Sequence, residues 1–328
     1  MKCARFTGQG QIEIIPDAPM PELESDEIIV RVRYCGLCGS DKRIFRDGHS
    51  VIPGHEIAGT VHDIGSCTDV EKGARGVIYI PLFCGKCHHC ATGYTNRCKN
   101  TTGLIGWQLD GGFAEFVKVP RANFLQVPDS LDLKEAVLLL DTIGTAAHGI
   151  RLATRNNRII NSTSAVLVQG CGPLGLGSIL VLQAMGFESI YVTDPAESRI
   201  NMALEFGASC FEGSEEEVEF PLIIEASGNH TARNHAMETV EPGGSVVFLG
   251  ESNDPWTITP SPTLRRKDCY YIRSFYFPIN EFSDNVNLLL TKRDIFTPFT
   301  DTVVSLDQLQ KAFMSFTKGE VLKPLVKL

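Results

Sequence analysis

Apolar and polar positions change rhythm along this chain, and the change divides it into two kinds of region. Between 164 and 250, short apolar runs ("SAVLVQG", "SIYVTD", "PLIIEASG" and "GGSVVFLG") alternate with longer helical stretches. Such runs, bounded by turn signals and separated by helices, predict a doubly wound parallel sheet. Residues 1–141 are richer in glycine, proline and short alternating runs, which predicts a mostly antiparallel, barrel-like fold. The tail returns to that first lobe, with "SLDQLQKAFMSFTKG" at 305–319 as an amphipathic helix and "KPLVKL" as a last strand. The expected domains are therefore 1–141 with 276–328, and 142–275. No internal repeat stands out, and "EGSEEEVEF" at 212–220 predicts an acidic surface loop.

The first junction in the alternating region carries chemistry. In "SAVLVQGCGPLGLGSILVLQAMG", at 164–186, a β-branched strand runs into a glycine-rich turn and then an amphipathic helix. Gly170, Gly172 and Gly175 fit the spacing GxGxxG, with Pro173 and Leu174 inside it, and Asp194 ends the next apolar run. Glycines there permit a tight turn and close approach of backbone to a pyrophosphate, which the positive end of the helix favours. Asp194 can accept from both hydroxyls of an adenine ribose and would repel a 2′-phosphate, so NAD is expected over NADP. Ser227, Gly228, Leu249 and Gly250 fall at strand carboxyl ends, where ligands bind in such sheets.

One apolar segment breaks its own pattern. "LLLDTIGTAAHGI", at 138–150, places Asp141, Thr145 and His148 in a run that should be buried. In a helix these positions share one face, which can look into a cleft. A buried carboxylate without a partner costs several kcal/mol, so Asp141 needs a cation or strong donors. His148 reads first as a packing residue.

Length and composition set the outer bounds. A chain of 328 residues is long enough for two cores, and its net charge of -9 argues against nucleic acid as the main partner. "LRRK" at 264–267 is the densest basic cluster and reads as a solvated loop. The opening "MKCARFTGQG" lacks a secretion signal's apolar core, and no run of about 18 apolar residues suggests a membrane span, so a cytoplasmic protein is expected. In a reducing compartment the 11 cysteines read as thiols or metal ligands.

Their spacing separates two groups. "CGKCHHCATGYTNRC" holds Cys84, Cys87, Cys90 and Cys98, with two-residue spacers that let thiolates converge on one tetrahedral zinc and Gly85 and Gly93 allowing tight turns. Four sulfurs close the coordination shell, so this site is expected to be structural, with His88 and His89 exposed. The second group is sparser: "CGLCGSD" at 35–41 and "GHEIAGTV" at 54–61. Cys38 and His55 offer sulfur and imidazole, Glu56 a carboxylate, and Asp41 is placed to orient a ligand, a mixed set suited to catalytic zinc.

These motifs in this order, with "GGFAEFVKVP" at 111–120 and the closing "GEVLKPLVKL", resemble the zinc-dependent medium-chain dehydrogenases, and the polyol and threonine dehydrogenase branch in particular. The resemblance covers essentially the whole chain. It implies a GroES-like catalytic domain beside a Rossmann NAD-binding domain, and two zinc ions per chain. Cys38, His55, Glu56 and Asp141 would hold the catalytic zinc, with Glu56 able to exchange with water and Cys35 a neighbour that does not ligate. Cys84, Cys87, Cys90 and Cys98 would hold the structural one. Thr145, Gly170, Gly172, Pro173, Leu174, Gly175, Asp194, Arg199, Ser227, Leu249 and Lys323 would contact the cofactor. A homodimer or homotetramer is implied.

The implied reaction is hydride transfer between nicotinamide C4 and a secondary alcohol, with zinc as Lewis acid and Ser40 relaying the proton. Three residues beyond Ser40, where the family often carries the relay's histidine, this chain has Arg43, which cannot act as a base. His49 or water would then take the proton, while Arg43 would hold a cofactor phosphate or an oxygen-rich substrate. Only 16 residues separate Cys38 from His55, which shortens the wall of the site. The acidic ligand set points to a polyol, sugar or cyclitol. Threonine or another amino alcohol is the alternative, then a simple alcohol. Presence of all the expected ligands disfavours both a non-catalytic binding relative and a zinc-free quinone reductase.

Overall fold

A computed structural model describes residues 1–211, 218–252, 254–258, 261–262 and 264–328. The chain separates into two compact units, Met1–Leu140 with Pro278–Leu328, and Asp141–Phe277. Most of the acidic stretch at 212–220 lies outside the described residues.

The first unit is built on a seven-stranded sheet, mostly antiparallel, with the hairpin Cys3–Gly8 and Gln11–Ile15 beside it. The long strand Glu27–Gly36 is its hub, pairing with Glu56–Asp63, Phe116–Pro120 and Leu325–Lys327. Alternation along its first half buries Ile28, Val30 and Val32 in one core with Phe6, Phe113 and Phe313. The rings of Phe6 and Phe113 stack at 5.7 Å, and Phe313 meets Phe6 edge-on at 5.5 Å. Phe313 comes from the helix Leu309–Lys318, which ends on Gly319 in the left-handed conformation, so the returning tail completes the core of the first lobe.

The second unit is a six-stranded parallel sheet. Across it the strands run Ser209–Cys210, Ile190–Thr193, Val166–Gln169, Phe220–Glu225, Val240–Phe248 and Tyr270–Arg273. This is the doubly wound arrangement expected of alternating strands and helices. The fold is thus a GroES-like domain plus a Rossmann sheet.

Three local expectations change. The helix Pro173–Ala184 is not amphipathic, because every residue from Gly175 to Leu182 is buried. A helix covered on all sides reads as uniformly apolar; on one of them the methyl of Thr142 would stand 2.7 Å from a Cβ at Gly177. In "LRRK", Arg265 and Arg266 are exposed, but Lys267 is buried, donating to Glu219 at 2.8 Å and to the carbonyls of Val240, at 2.7 Å, and Glu238. Its ammonium closes the carboxyl end of the helix His230–Thr239, where free carbonyls favour a cation. Finally, the helical run Leu133–Asn156 is long and apolar enough to cross a membrane, contrary to expectation. Its most apolar window is 83% buried within the protein, which makes it a core helix.

Candidate metal and cofactor sites

Strand register assembles the Cys38 site. Gly36 faces Glu56 on one side and Leu325 on the other, so the residues just past this point, Cys38 and His55, are brought together from separate segments. A Cβ at Gly36 would stand 2.9 Å from Glu56 Oε2, so only glycine leaves room for that carboxylate. The ligand atoms of Cys38, His55 and Glu56 lie within 4.8 Å of one another. Sulfur, imidazole and carboxylate at this spacing fit a zinc ion.

A layer of charged groups fixes these donors. Asp41, fully buried on the short helix Asp41–Asp47, accepts from the Cys38 amide at 3.0 Å with one oxygen and faces His55 Nδ1 at 3.3 Å with the other. That contact leaves His55 Nε2 for a metal. Burial alone would push His55 toward its neutral form, but Asp41 and Cys38 hold its pKa well above the ordinary histidine value. A cation is what such negative surroundings favour. Glu56 Oε1 accepts from Lys323 Nζ at 2.6 Å, and both side chains are buried. Lys323, expected among cofactor contacts, therefore directs its ammonium to Glu56 and, at 3.3 Å, to the Leu37 carbonyl. Cys35 is fully buried, its thiol pushed well up by burial, and it stands outside the ligand group.

Ser40, the expected relay hydroxyl, lies 3.3 Å from Cys38 Sγ. His49, the candidate replacement base, has Nε2 2.5 Å from the Trp107 carbonyl, so this nitrogen carries the proton and donates it there. Arg43 stacks over the Trp107 ring, 4.9 Å from its centre, and that ring lies 5.8 Å from His55. Trp107 went unnoticed in the sequence. Its signal was weak: it is one of only two tryptophans, in a segment that otherwise reads as a turn.

The four-cysteine site is more local. Cys84, Cys87, Cys90 and Cys98 place their sulfurs within 4.8 Å of one another, with Cys87 Sγ 3.5 Å from Cys90 Sγ and 4.0 Å from Cys98 Sγ. Zinc–sulfur bonds of about 2.3 Å give a tetrahedron with edges of roughly 3.8 Å, so the cage fits structural zinc. Amides of Lys86 and Cys87 pull the Cys84 pKa down to about 6, which favours the ligating thiolate. Gly85 and Gly93 take positive φ, and a Cβ at Gly93 would stand 2.7 Å from the Asn280 side chain. Among the described residues neither His88 nor His89 joins the cage.

In the second unit the glycines divide their work. Gly170 has φ of 94°, and a Cβ on Gly175 would stand 1.8 Å from the Gly170 carbonyl oxygen, so these two make the turn possible. Gly172 has open space where a Cβ would go, and Pro173 and Leu174 then start the helix. Its bare backbone suits a pyrophosphate. Asp194 accepts from the amides of Cys171 at 2.7 Å and Ala196 at 2.9 Å, with Arg199 at 3.8 Å. Ser227 donates through its amide and hydroxyl to Glu225, a fully buried carboxylate that also pairs with Arg233 at 3.4 Å. Leu249 follows the next strand end, its amide on the Glu225 carbonyl. The network around Glu225 was missed, although an acid closing "PLIIE" was a visible signal.

Asp141 opens the second unit. Instead of an α-helical turn, Asp141–Thr145 forms a π-helical turn before the helix Ala146–Asn156. Such turns are frequent at functional positions. The Thr145 hydroxyl donates to Asp141 Oδ1 at 2.7 Å, and His148 is buried.

Residues 24–129 match the alcohol dehydrogenase GroES-like domain, and 173–291 match the zinc-binding dehydrogenase family. The L-threonine 3-dehydrogenase of Francisella tularensis subsp. tularensis (strain WY96-3418) is 30% identical over 279 residues, covering 76% of this chain and 77% of that protein. Among solved structures, alcohol dehydrogenase TADH from Thermus sp. ATN1 superposes with a TM-score of 0.90 at 25% identity over the whole of both chains. The alcohol dehydrogenase rspB from E. coli CFT073, solved with NADH, does so with a TM-score of 0.86 at 24% identity, covering 100% of this chain and 99% of that one. With its two-part fold, its four-cysteine cage and its Cys38, His55 and Glu56 cluster, the chain belongs to the zinc-containing alcohol dehydrogenase family.

Proposed function

We propose that this enzyme transfers a hydride between NAD(H) and an oxygen-rich secondary alcohol, a polyol, sugar or cyclitol, giving a ketone. The observation that carries the reading is the mixed cluster of Cys38, His55 and Glu56, with acidic rather than second-cysteine chemistry around it. Asp141 completes that ligand set as the fourth protein donor, and its bond from Thr145 orients it. A zinc ion held there supplies Lewis acidity that makes the substrate hydroxyl a better proton donor. Asp41 faces His55 Nδ1 and so leaves Nε2 for the ion, and Lys323 pairs with Glu56 beside the site. Ser40 passes the proton outward to His49, whose Nδ1 is the acceptor nitrogen while Nε2 donates to the Trp107 carbonyl, or to water; Arg43 cannot accept it.

Gly170, Gly172, Pro173, Leu174 and Gly175 cradle the pyrophosphate. Asp194 receives the adenine ribose hydroxyls with Arg199 beside it, and Thr145, Ser227 and Leu249 serve the nicotinamide end. NAD over NADP rests on the Asp194 charge at the strand end. Lys323 as a cofactor contact is the weakest part of this set, because its ammonium is committed to Glu56. An amino alcohol such as L-threonine is the second reading, supported by the activity of the 30% identical relative. One panel of polyols, sugars, cyclitols and L-threonine, assayed by NADH formation on enzyme carrying two zinc ions per chain, separates the readings. A kcat/KM for L-threonine above that of every polyol, sugar and cyclitol would replace the first reading with the second. A homo-oligomer is the assembly we propose.

A further inference from the structure

Arg43, Trp107 and His55 form a line of contacts that the metal chemistry itself does not use. The indole of Trp107 tilts against the His55 ring at 5.8 Å, and the Arg43 guanidinium sits 4.9 Å from the centre of the same indole, so the cation lies at most about 11 Å from the imidazole. His49 tethers this wall through the Trp107 carbonyl and meets the indole edge-on at 6.3 Å. Arg43 is exposed, while Trp107 is only partly so.

Nearby carboxylates are already engaged. Asp47 is taken by Arg46 in a two-pronged pair at 2.7 and 2.8 Å, and Asp41 by His55 and the Cys38 amide. Asp47 also feels the Arg43 charge, but among the described residues no carboxylate stands within ion-pair distance of Arg43. A guanidinium laid on an aromatic face has its orientation restricted while its N–H edges remain directed away from the ring. Those edges match the two oxygens of a phosphate or carboxylate. The arrangement belongs wholly to the unit that bears Cys38, His55 and Glu56.

We propose that Arg43, held on Trp107, is a specificity-determining residue that binds an anionic group on the substrate alcohol, away from the hydroxyl that reacts. The proposal rests on the dehydrogenase reading above and narrows its substrate class. A neutral polyol leaves this cation without a partner, whereas a phosphorylated polyol or a hydroxy acid occupies it.

The test compares matched pairs, a polyol against its phosphate ester and a hydroxy acid against its amide, in the wild type, Arg43→Gln and Arg43→Lys. The wild type is expected to favour the charged member of at least one pair, and which pair identifies phosphate or carboxylate. In Arg43→Gln the charged-to-neutral ratio of kcat/KM should fall roughly ten- to hundred-fold, mostly through KM, as expected for losing a charged hydrogen bond. Arg43→Lys should recover part of it. Equal rates within every pair, or an unchanged ratio in Arg43→Gln, overturn the proposal. So does weakening of NADH binding by Arg43→Gln as large as the lost preference, because Arg43 then serves a cofactor phosphate.

Silence across the whole panel would count against the dehydrogenase reading, so a second measurement is independent of turnover. In a Trp256→Phe background Trp107 is the sole tryptophan, and inorganic phosphate should change its fluorescence saturably. Loss of that response on adding Arg43→Gln supports the anion site. A response that persists without Arg43, or none in the parent, overturns it.

Discussion

The two metal clusters of the first unit use overlapping chemistry but are built in opposite ways. The four-cysteine cage comes from 15 consecutive residues, 84 to 98, and its sulfurs are stabilised by amides of the same loop. The Cys38 cluster draws on a strand end, a short helix, a second strand and the carboxyl-terminal tail, and His55 and Glu56 each have a charged neighbour from a distant segment. A closed shell of one ligand type needs only a loop of the right spacing. An open shell of mixed donors needs its ligands oriented, and that takes buried charges in balance.

The largest test of this contrast is Cys38→Ala. It should lower kcat/KM by roughly a thousand-fold or more through loss of Lewis-acid chemistry. Metal analysis should find one zinc per chain instead of two. Thermal unfolding should move by only a few degrees; a collapse in Tm would mean that the two clusters do not divide structure from chemistry.

Cys98→Ser should do the reverse. Because structural zinc contributes folding energy directly, Tm should fall by about 10 °C in a thermal melt. An unchanged melt would show that the cage contributes nothing to the fold.

Lys323→Met asks whether the charge layer matters beyond its own atoms. Removing one partner of a buried pair leaves Glu56 uncompensated and should cost about 3 kcal/mol in denaturant unfolding. Added zinc should restore part of that loss if Glu56 faces the metal. Asp41→Asn is gentler: affinity at the catalytic site should fall about ten- to hundred-fold, as for other groups that orient a metal-bound histidine, with the cage unaffected in a competitive chelator titration.

The smallest effect lies outside both clusters. Asp194→Ala should reduce the preference for NAD over NADP by about ten-fold, as one charged hydrogen-bond acceptor is lost. A wild type that already prefers NADP would defeat the cofactor assignment.

The contrast also explains what was legible. The cage could be read directly, because CxxC spacing is a local property and the ligands are near in space whenever the loop closes. The glycine turn was equally legible, since Gly170 and Gly175 answer to backbone sterics within a few residues. The pairing of Asp41 with His55 was inferable from residue type. The bond from Lys323 to Glu56 is not legible in the sequence, because the two lie 267 positions apart and only the register across Gly36 brings them together. Lys267 looked like part of a basic surface for the same reason: the carbonyls it caps belong to a helix that ends 28 residues earlier.

Sequence by itself determined the two-part architecture, the dehydrogenase family, the metal ligands in kind and the dinucleotide turn. All of these rest on spacing, periodicity or the special conformations of glycine, which act over short distances along the chain. Tertiary structure alone decided which charges neutralise one another, that Asp141–Thr145 winds as a π-turn, and that Trp107 carries Arg43 beside His55. These depend on strand register and packing, which set the distance between residues far apart in sequence and so fix the electrostatics of the site.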